Sequence, residues 1–301
     1  MIDITRILCP IDFSEGSVRA LEHAVSLARW YDAKVSVMHV FGTPAVPVAG
    51  SELVTYVGAM PPVRAEDVVD EVRRFCTRLL NGGPVPEIVI REGDPVKEIV
   101  AHASRMPADL LVLGTHGRSG FERLSLGSVA EKVLRKVPCP VLTVPPTREP
   151  AVTGGLLFKT ILCSLDFSPS SIRALEYAVS LAKEADARLV LLHVVEWSVD
   201  DALAGEMAHF SVSDYNRRMT DDASARLKAM LPVEARDWCR PTEIVTNGRA
   251  HREILRVAAE TGASVIVMGV QGRGAVDLMV FGSTTYHVIR AAPCPVLTLR
   301  S

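Results

Sequence analysis

Short apolar runs alternate with longer amphipathic segments along the chain. The run RILCPI at residues 6–11 is almost continuously apolar, which is typical of a strand covered on both faces of its sheet. Ser14 follows it as a candidate helix N-cap. Apolar residues then recur at helical spacing at Val18, Leu21, Ala24, Val25 and Ala28. This stretch predicts a buried strand followed directly by a helix.

The same alternation continues to residue 144. KVSVMHV, PEIVIREG, ADLLVLG and PVLTV predict four further strands. Helices are expected around residues 64–80, from Asp94-Pro95 onward, and from near Gly127. Strands that alternate with helices predict an α/β fold, in which helices flank both faces of a doubly wound parallel sheet.

The second half of the chain repeats the first. Residues 7–40 align with residues 161–194, and Asp12 matches Asp166. A repeat of this length is too long for a solenoid unit and predicts two copies of one domain. The junction PPTREPAVTGG is rich in proline and glycine, as linkers are. We therefore predict tandem domains at 1–146 and 159–301 joined by a linker at 147–158, with second-half strands near 159–165, 187–195, 241–246, 264–269 and 295–299.

Composition narrows the class of protein. The chain has 301 residues and a formal net charge of −2. Most nucleic-acid-binding proteins have an excess of basic residues, so this charge argues against that class. No apolar run reaches the roughly 18 residues of a membrane span, and no signal peptide is expected at the N-terminus. The six cysteines show neither a CxxC pair nor zinc-ligand spacing. They are expected to be reduced thiols of a cytoplasmic protein, with four of them in strands, at Cys9, Cys139, Cys163 and Cys294.

Glycines mark the expected ligand site. Ligands of doubly wound sheets bind beyond the carboxyl ends of the strands, where the strand order reverses. Asp12 ends the first strand and Gly114 the fourth, so the two residues would open onto one crevice if those strands are neighbours. Gly114 and Gly117 would let the backbone approach a ligand closely. The helix beginning at Gly127-Ser128 would offer N–H groups to a phosphate. The alternative is that the glycines serve only the turns, and that duplication copied a purely structural feature.

The glycine spacing resembles a known signature. Gly114 and Gly117, nine residues, and then Gly127-Ser128 fit the pattern G-x-x-G-x₉-G-[ST], and the same pattern begins again at Gly269. It is similar to the nucleotide-binding signature of the universal stress protein family. The stretches DFS, HV and PCPVL also match that family, and the resemblance covers both halves. It implies a five-stranded parallel sheet of order 3-2-1-4-5 in each domain, and ATP as the ligand.

The resemblance also implies site residues. The adenosine portion would face Asp12 and the backbone of Val40. The ribose and phosphates would be lined by Gly114, His116 and Gly117. The phosphates would be held by Gly127, Ser128 and Val129. The matching positions of the second half are Asp166, Val194, Gly269, Gln271, Gly272, Gly282, Ser283 and Thr284.

The two copies depart from each other at several places. Gln271 stands where the first half has His116, and Arg249 stands where it has Asp94. The segments after the second strand of each half are long and unrelated, and both are candidate lids. These differences leave open whether both sites are filled.

Catalytic chemistry is less well supported than binding. The chain has no P-loop, no GxGxxG fingerprint after its first strand and no GxSxG nucleophile elbow. His39 and His193 are expected to be packed residues, and no dedicated metal site is predicted. Asp12 and Asp166 could help hold Mg²⁺ through water.

Three functions stay open on this basis. The leading hypothesis is a cytoplasmic ATP-binding protein with a nucleotide-dependent role in stress response or signalling. The alternatives are a slow ATPase or nucleotidyl-transfer enzyme, and a dimerisation scaffold that binds no nucleotide. The apolar fifth strands, PVLTV and PVLTL, are expected to pair with each other in an internal pseudo-dimer, since exposed apolar edges invite association. A homodimer of the whole chain is left open.

Overall fold

The computed structural model describes most of the chain. The described residues are 2–42, 64–80, 86–115, 126–146, 158–196, 212–231, 235–236, 239, 241–270 and 281–300. The two candidate lids and the predicted linker lie almost wholly outside them, as do His116, Gly117, Gln271 and Gly272.

Five strands and four helices alternate in the described part of the first half. They are β1 (Arg6–Ile11), α1 (Glu15–Tyr31), β2 (Lys34–Phe41), α2 (Ala65–Leu80), β3 (Glu87–Glu92), α3 (Pro95–Arg105), β4 (Leu110–Gly114), α4 (Ser128–Lys136) and β5 (Val141–Val144).

The second half repeats this succession. Its elements are β6 (Thr160–Ser164), α5 (Pro169–Ala185), β7 (Arg188–Val195), α6 (Val212–Met230), β8 (Thr242–Asn247), α7 (Ala250–Thr261), β9 (Val265–Gly269), α8 (Ser283–Ala291) and β10 (Val296–Leu299). Together with the first half, they confirm the predicted α/β fold.

The ten strands of the described residues form one sheet. Its order is β3-β2-β1-β4-β5-β10-β9-β6-β7-β8, so each half has the predicted order 3-2-1-4-5 with parallel neighbours. The halves meet where β10 pairs antiparallel with β5, with Leu297 opposite Leu142. The fifth strands are therefore interior strands of a continuous sheet, and the apolar edges that the sequence predicted face each other.

Short-range hydrogen bonds explain where the helices begin. The Ser14 side chain accepts a hydrogen bond from the backbone N–H of Ser17 at 3.3 Å, which confirms Ser14 as the N-cap of α1. At α3, Asp94 accepts from the N–H of Lys97 at 2.9 Å, and Pro95 occupies the first helical position. These local interactions place the starts of both helices at the carboxyl ends of strands.

Two apolar layers fill the space between the sheet and its helices. One layer lies under α1, α2, α5 and α6, and the other under α3, α4, α7 and α8. Both contain residues from the two halves of the chain. Among the described residues, no helix is long and apolar enough to cross a membrane.

The cysteines correct one expectation. Cys9 and Cys163 lie in β1 and β6, as predicted, but Cys139 and Cys294 lie in the bends before β5 and β10. The proline on each side of these two cysteines removes a backbone N–H and keeps the bend out of the strand. All six thiols are free and buried.

Candidate functional site

A cavity of about 320 Å³ opens at the carboxyl ends of β1 and β4. These strands are neighbours, with Leu8 opposite Leu111, as the switch-point argument requires. The volume is within the range of small-molecule sites. The cavity brings together six of the eight residues predicted for the first half, namely Asp12, Val40, Gly114, Gly127, Ser128 and Val129.

The start of α4 forms one wall of the cavity. Its N-cap, Gly127, makes no side-chain capping hydrogen bond, and the first N–H groups of any helix lack an intrahelical acceptor. The N–H of Gly127 donates to the carbonyl of Thr115 at 2.8 Å, which fixes the helix start against the end of β4. Together with the helix dipole, this wall is chemically suited to a negatively charged group.

Apolar side chains cover much of the remaining wall. Met38 and Val40 line the cavity from β2, and Ile99 lines it from α3. Pro95, the first residue of α3, also reaches the cavity. A ligand with a flat apolar portion and an anionic portion would match this division of the surface.

Asp12 holds the turn that leads into α1. Its Oδ1 accepts hydrogen bonds from the backbone N–H of Ser14 at 3.1 Å, from the Ser14 hydroxyl and, at 2.6 Å, from the Ser17 hydroxyl. Phe13, between Asp12 and Ser14, has a φ of 64°, an uncommon conformation for a bulky residue. Asp12 therefore stabilises a strained turn at the edge of the cavity.

The second half contains the same turn. Asp166 accepts from the N–H of Ser168 at 3.0 Å and from its hydroxyl at 2.6 Å, and Phe167 has a φ of 63°. The histidines behind the two turns also match. Nδ1 of His39 donates to the Ile11 carbonyl at 2.8 Å, and Nδ1 of His193 donates to the Leu165 carbonyl at 2.7 Å. Both histidines are packed residues, as predicted.

Gly114 has a role within the chain itself. A Cβ atom at Gly114 would lie 2.6 Å from the carbonyl carbon of Gly16 in α1, where no atom fits. At Gly269, a Cβ atom would lie 2.9 Å from the backbone nitrogen of Ser171. At these two positions the glycine is required by close packing of strand and helix. This supports the structural alternative for the glycines, and their contact with a ligand stays a prediction.

The other predicted residues of the second half occupy corresponding places. β6 and β9 are neighbours, so Asp166 and Gly269 lie at adjacent strand ends. Val194 lies near the end of β7, and Gly282, Ser283 and Thr284 lie at the start of α8. The N–H of Gly282 donates to the carbonyl of Val270 at 3.0 Å, as Gly127 does to Thr115.

Sequence comparison of the copies missed how α7 is capped. Arg249, which replaces Asp94, makes no side-chain capping hydrogen bond. Glu196, directly after β7, instead accepts a hydrogen bond from the N–H of Ala250 at 2.7 Å. A carboxylate thus stabilises the start of each helix. In α3 it belongs to the N-cap residue Asp94, and in α7 it belongs to Glu196 at the end of the neighbouring strand β7. In the repeat, Glu196 stands where the first half has Gly42, and this acidic substitution is the sequence signal that could have indicated the different cap of α7.

A pair of histidines is the second feature that sequence reasoning missed. The rings of His251 in α7 and His287 in α8 are stacked, with their centroids 4.7 Å apart and their planes at 27°. They lie 36 residues apart in the sequence, and only the packing of the two helices brings them together. Among the described residues, no cluster of three or more His, Cys, Asp or Glu side chains could hold a metal ion.

Comparison with known proteins gives a consistent result. The model of the universal stress protein family matches residues 3–145 and again residues 157–300. A universal stress protein of Methanocaldococcus jannaschii is 34% identical over 143 residues, which cover 46% of this chain and 81% of that protein. One from Mycolicibacterium smegmatis is 25% identical over 303 residues, covering 98% and 96% of the two chains. The crystal structure of a universal stress protein from Archaeoglobus fulgidus covers 98% of each chain with a TM-score of 0.64 and 26% identity.

Proposed function

The chain belongs to the universal stress protein family, and on that premise we propose that it binds ATP at the carboxyl ends of the strands in each domain. Its stress-response role would then depend on nucleotide-dependent conformation or partner binding. The observation that carries the proposal is the cavity of the first domain, where Asp12, Val40 and the start of α4 meet.

Each wall of the cavity has a part in this proposal. The N–H groups at the start of α4, with the Ser128 hydroxyl, would donate to phosphate oxygens. Met38, Val40 and Ile99 would pack against the adenine ring. The triphosphate supplies the negative charge that the positive end of the helix favours. Mg²⁺ bound to the phosphates would keep most of its waters.

The residues of the cavity are better suited to binding ATP than to hydrolysing it. Among the residues that line this cavity in the described part of the chain, Asp12 is the only titratable one. Its Oδ1 already accepts three hydrogen bonds within the turn, which does not suit a general base that must take up a proton. We therefore assign no catalytic residue, and slow hydrolysis would be a secondary property.

A cytoplasmic location is part of the proposal. All six cysteines are free thiols, which is typical of proteins in a reducing compartment. Burial raises the pKa of the Cys76 and Cys139 thiols to about 11, which keeps them protonated and unreactive near neutral pH.

The first test is the mass analysis of nucleotide released from purified, denatured protein, with its stoichiometry per chain, followed by titration of the emptied protein with ATP and Mg²⁺. We expect ATP at one or two molecules per chain. No nucleotide in the preparation, together with no binding in the titration, would leave a duplicated scaffold instead.

Variants at the helix starts sharpen this test. Ser128→Pro and Ser283→Pro each remove one N–H and one hydroxyl, at a first helical position where proline is well accepted. Loss of a hydrogen bond to a charged group corresponds to roughly 10- to 100-fold weaker binding at the altered site. Ala65→Pro, which likewise places proline at a first helical position but removes only an N–H, lies at the start of α2 outside the cavity and should leave binding unchanged.

Gly127→Glu should abolish binding at its own site by repelling phosphate. Gly282→Glu should do the same at the second site, although its Cβ atom would also lie 2.9 Å from the Val270 carbonyl oxygen, so thermal unfolding is measured alongside binding.

A further inference from the structure

A second cavity of the first domain lies between α1 and α2. Its volume is about 340 Å³, which is within the range of small-molecule sites. It is lined by Phe13, Val18, Glu71, Phe75, Arg78 and Leu79. None of these residues lines the cavity at the carboxyl ends of β1 and β4, so a ligand bound here would occupy a separate site.

The second half places a cation where the first half has this cavity. Arg226 of α6 lies over the ring of Phe167, with its guanidinium carbon 3.8 Å from the ring centroid. A guanidinium within about 6 Å of a ring centroid is attracted by the negative face of the ring. Phe167 matches Phe13 in the repeat, and Phe13 is one of the residues that line the cavity.

The two phenylalanine rings are placed in the same way in their domains. Phe13 has a φ of 64° and Phe167 a φ of 63°. The centroid of the Phe13 ring lies 4.6 Å from that of His39, and the centroid of the Phe167 ring lies 4.5 Å from that of His193. Because the surroundings correspond, a cation that suits one ring suits the other.

Glu71 stands in the first half where the second half has Arg226. The buried residues of the two helices support this alignment, since Val72 of α2 matches Leu227 of α6 and both side chains are fully buried. The first half therefore has a carboxylate beside the ring instead of a guanidinium. A carboxylate and an aromatic face together attract a cation from solution.

The part of the chain around this cavity supplies no cation to the ring. Among the described residues, Phe13 contacts the rings of His39 and Phe75, and no guanidinium or ammonium group lies over it. The sequence on either side of α2, residues 43–63 and 81–85, contains no Lys, Arg or His. A cation over Phe13 would therefore belong to a ligand.

The other lining residues indicate the rest of that ligand. Arg78 lies seven residues after Glu71, about 10 Å further along α2. Both side chains are exposed, and neither forms an ion pair with another described residue. Val18 and Leu79 offer apolar contacts for an aliphatic stem, against which the stems of long charged side chains pack readily.

We propose that this cavity binds a small molecule of the arginine type, with a guanidinium group at one end and a carboxylate at the other. The guanidinium lies over Phe13 and pairs with Glu71, and the carboxylate pairs with Arg78. Phe75, which meets the Phe13 ring edge-on at 5.5 Å, forms the second aromatic wall. The first domain thus binds from solution the group that the second domain supplies from its own α6.

Equilibrium titration of the full-length chain with L-arginine tests the proposal. L-citrulline is the matched ligand, because it has nearly the same shape and an uncharged group in place of the guanidinium. We expect one L-arginine per chain and an affinity for L-citrulline that is at least about tenfold weaker.

Three variants of α2 locate the site. Glu71→Arg copies the second half and should abolish L-arginine binding, because the chain then supplies its own guanidinium. Glu71→Gln should weaken binding by about fivefold. Glu66→Gln removes a carboxylate from the same helix outside the cavity and should leave binding unchanged. Thermal unfolding of each variant verifies that it is folded.

The possible results decide the proposal. No saturable binding of L-arginine, equal affinity for L-citrulline, or binding that survives Glu71→Arg overturns it. The δ-methylene protons of bound L-arginine should resonate upfield of their free position, because they lie near the face of the Phe13 ring, and unchanged resonances would also contradict it. ATP binding should be the same in Glu71→Arg and in the unaltered chain, so the failure of one proposal is distinguishable from the failure of the other.

Discussion

At the scale of single residues, Gly114 shows how closely the ends of the strands are packed. Its Cα faces the backbone of Gly16, which cannot rotate away as a side chain could. We expect Gly114→Ala to lower the free energy of unfolding by about 1–3 kcal/mol, because the added methyl group must displace α1 from β4. Urea or thermal unfolding measures the loss.

Gly42→Ala is the matched control for this prediction. A Cβ atom at Gly42 meets no atom within 4 Å, so the change in stability should stay within about 0.5 kcal/mol. If the two alanine variants proved equally stable, the close approach of α1 and β4 would not be what requires a glycine at position 114.

Residues were predictable where their role follows from the order of elements. Asp12 and Ser128 could be assigned to one site, because strand ends and helix starts meet at the switch point of a doubly wound sheet, whereas Val40 was assigned only through the family resemblance. The contact of Gly114 with Gly16 could not, because it depends on the distance between a helix and a strand about 100 residues apart in the chain. The histidine pair was missed for the same reason, since two helices must pack before the rings meet.

At the scale of elements, the two copies stabilise equivalent helices with different residues. We expect Asp94→Ala to destabilise the first domain by about 1 kcal/mol, since it removes the capping hydrogen bond to Lys97. Arg249→Ala, at the matching position, should have little effect, because that side chain makes no capping hydrogen bond. Hydrogen exchange of the first-turn amides in α3 and α7 would measure both effects.

Glu196 supplies the complementary test in α7. Glu196→Ala removes the acceptor for the N–H of Ala250 and should speed exchange in the first turn of α7, whereas Glu196→Gln keeps an oxygen acceptor and should preserve much of the protection. An equal effect of Arg249→Ala and Glu196→Ala would contradict this assignment of the cap.

Element boundaries were largely readable from local pattern. The helix expected at 64–80 spans Ala65–Leu80, and the strand expected at 187–195 spans Arg188–Val195, because periodicity and caps act over a few residues. The carboxylate that caps α7 lies 54 residues before its partner, so no local pattern reveals it.

At the scale of the whole molecule, the pairing of β5 with β10 makes one sheet of two domains. Buried threonines reinforce this junction: the Thr143 hydroxyl donates to the carbonyl of Val296 at 3.1 Å, and the Thr298 hydroxyl donates to the carbonyl of Val141 at 3.2 Å. The Arg300 guanidinium also donates to the carbonyl of Leu134 at 2.9 Å, at the end of α4 in the other half. The Arg300 contact thus joins the C-terminal end of β10 to the helix whose start lines the cavity of the first half.

This junction should hold the halves together without a covalent link. Separation would expose the apolar edges of β5 and β10 and divide both apolar layers, which contain residues of the two halves. We expect a chain cut at a protease site introduced between residues 147 and 157 to elute, at micromolar concentration and without denaturant, at the volume of the uncut chain. Moderate urea should then release the halves in the cut chain alone, since the uncut chain stays covalently joined. Halves that separate in plain buffer would mean that the linker, and not the shared sheet, holds the two domains together.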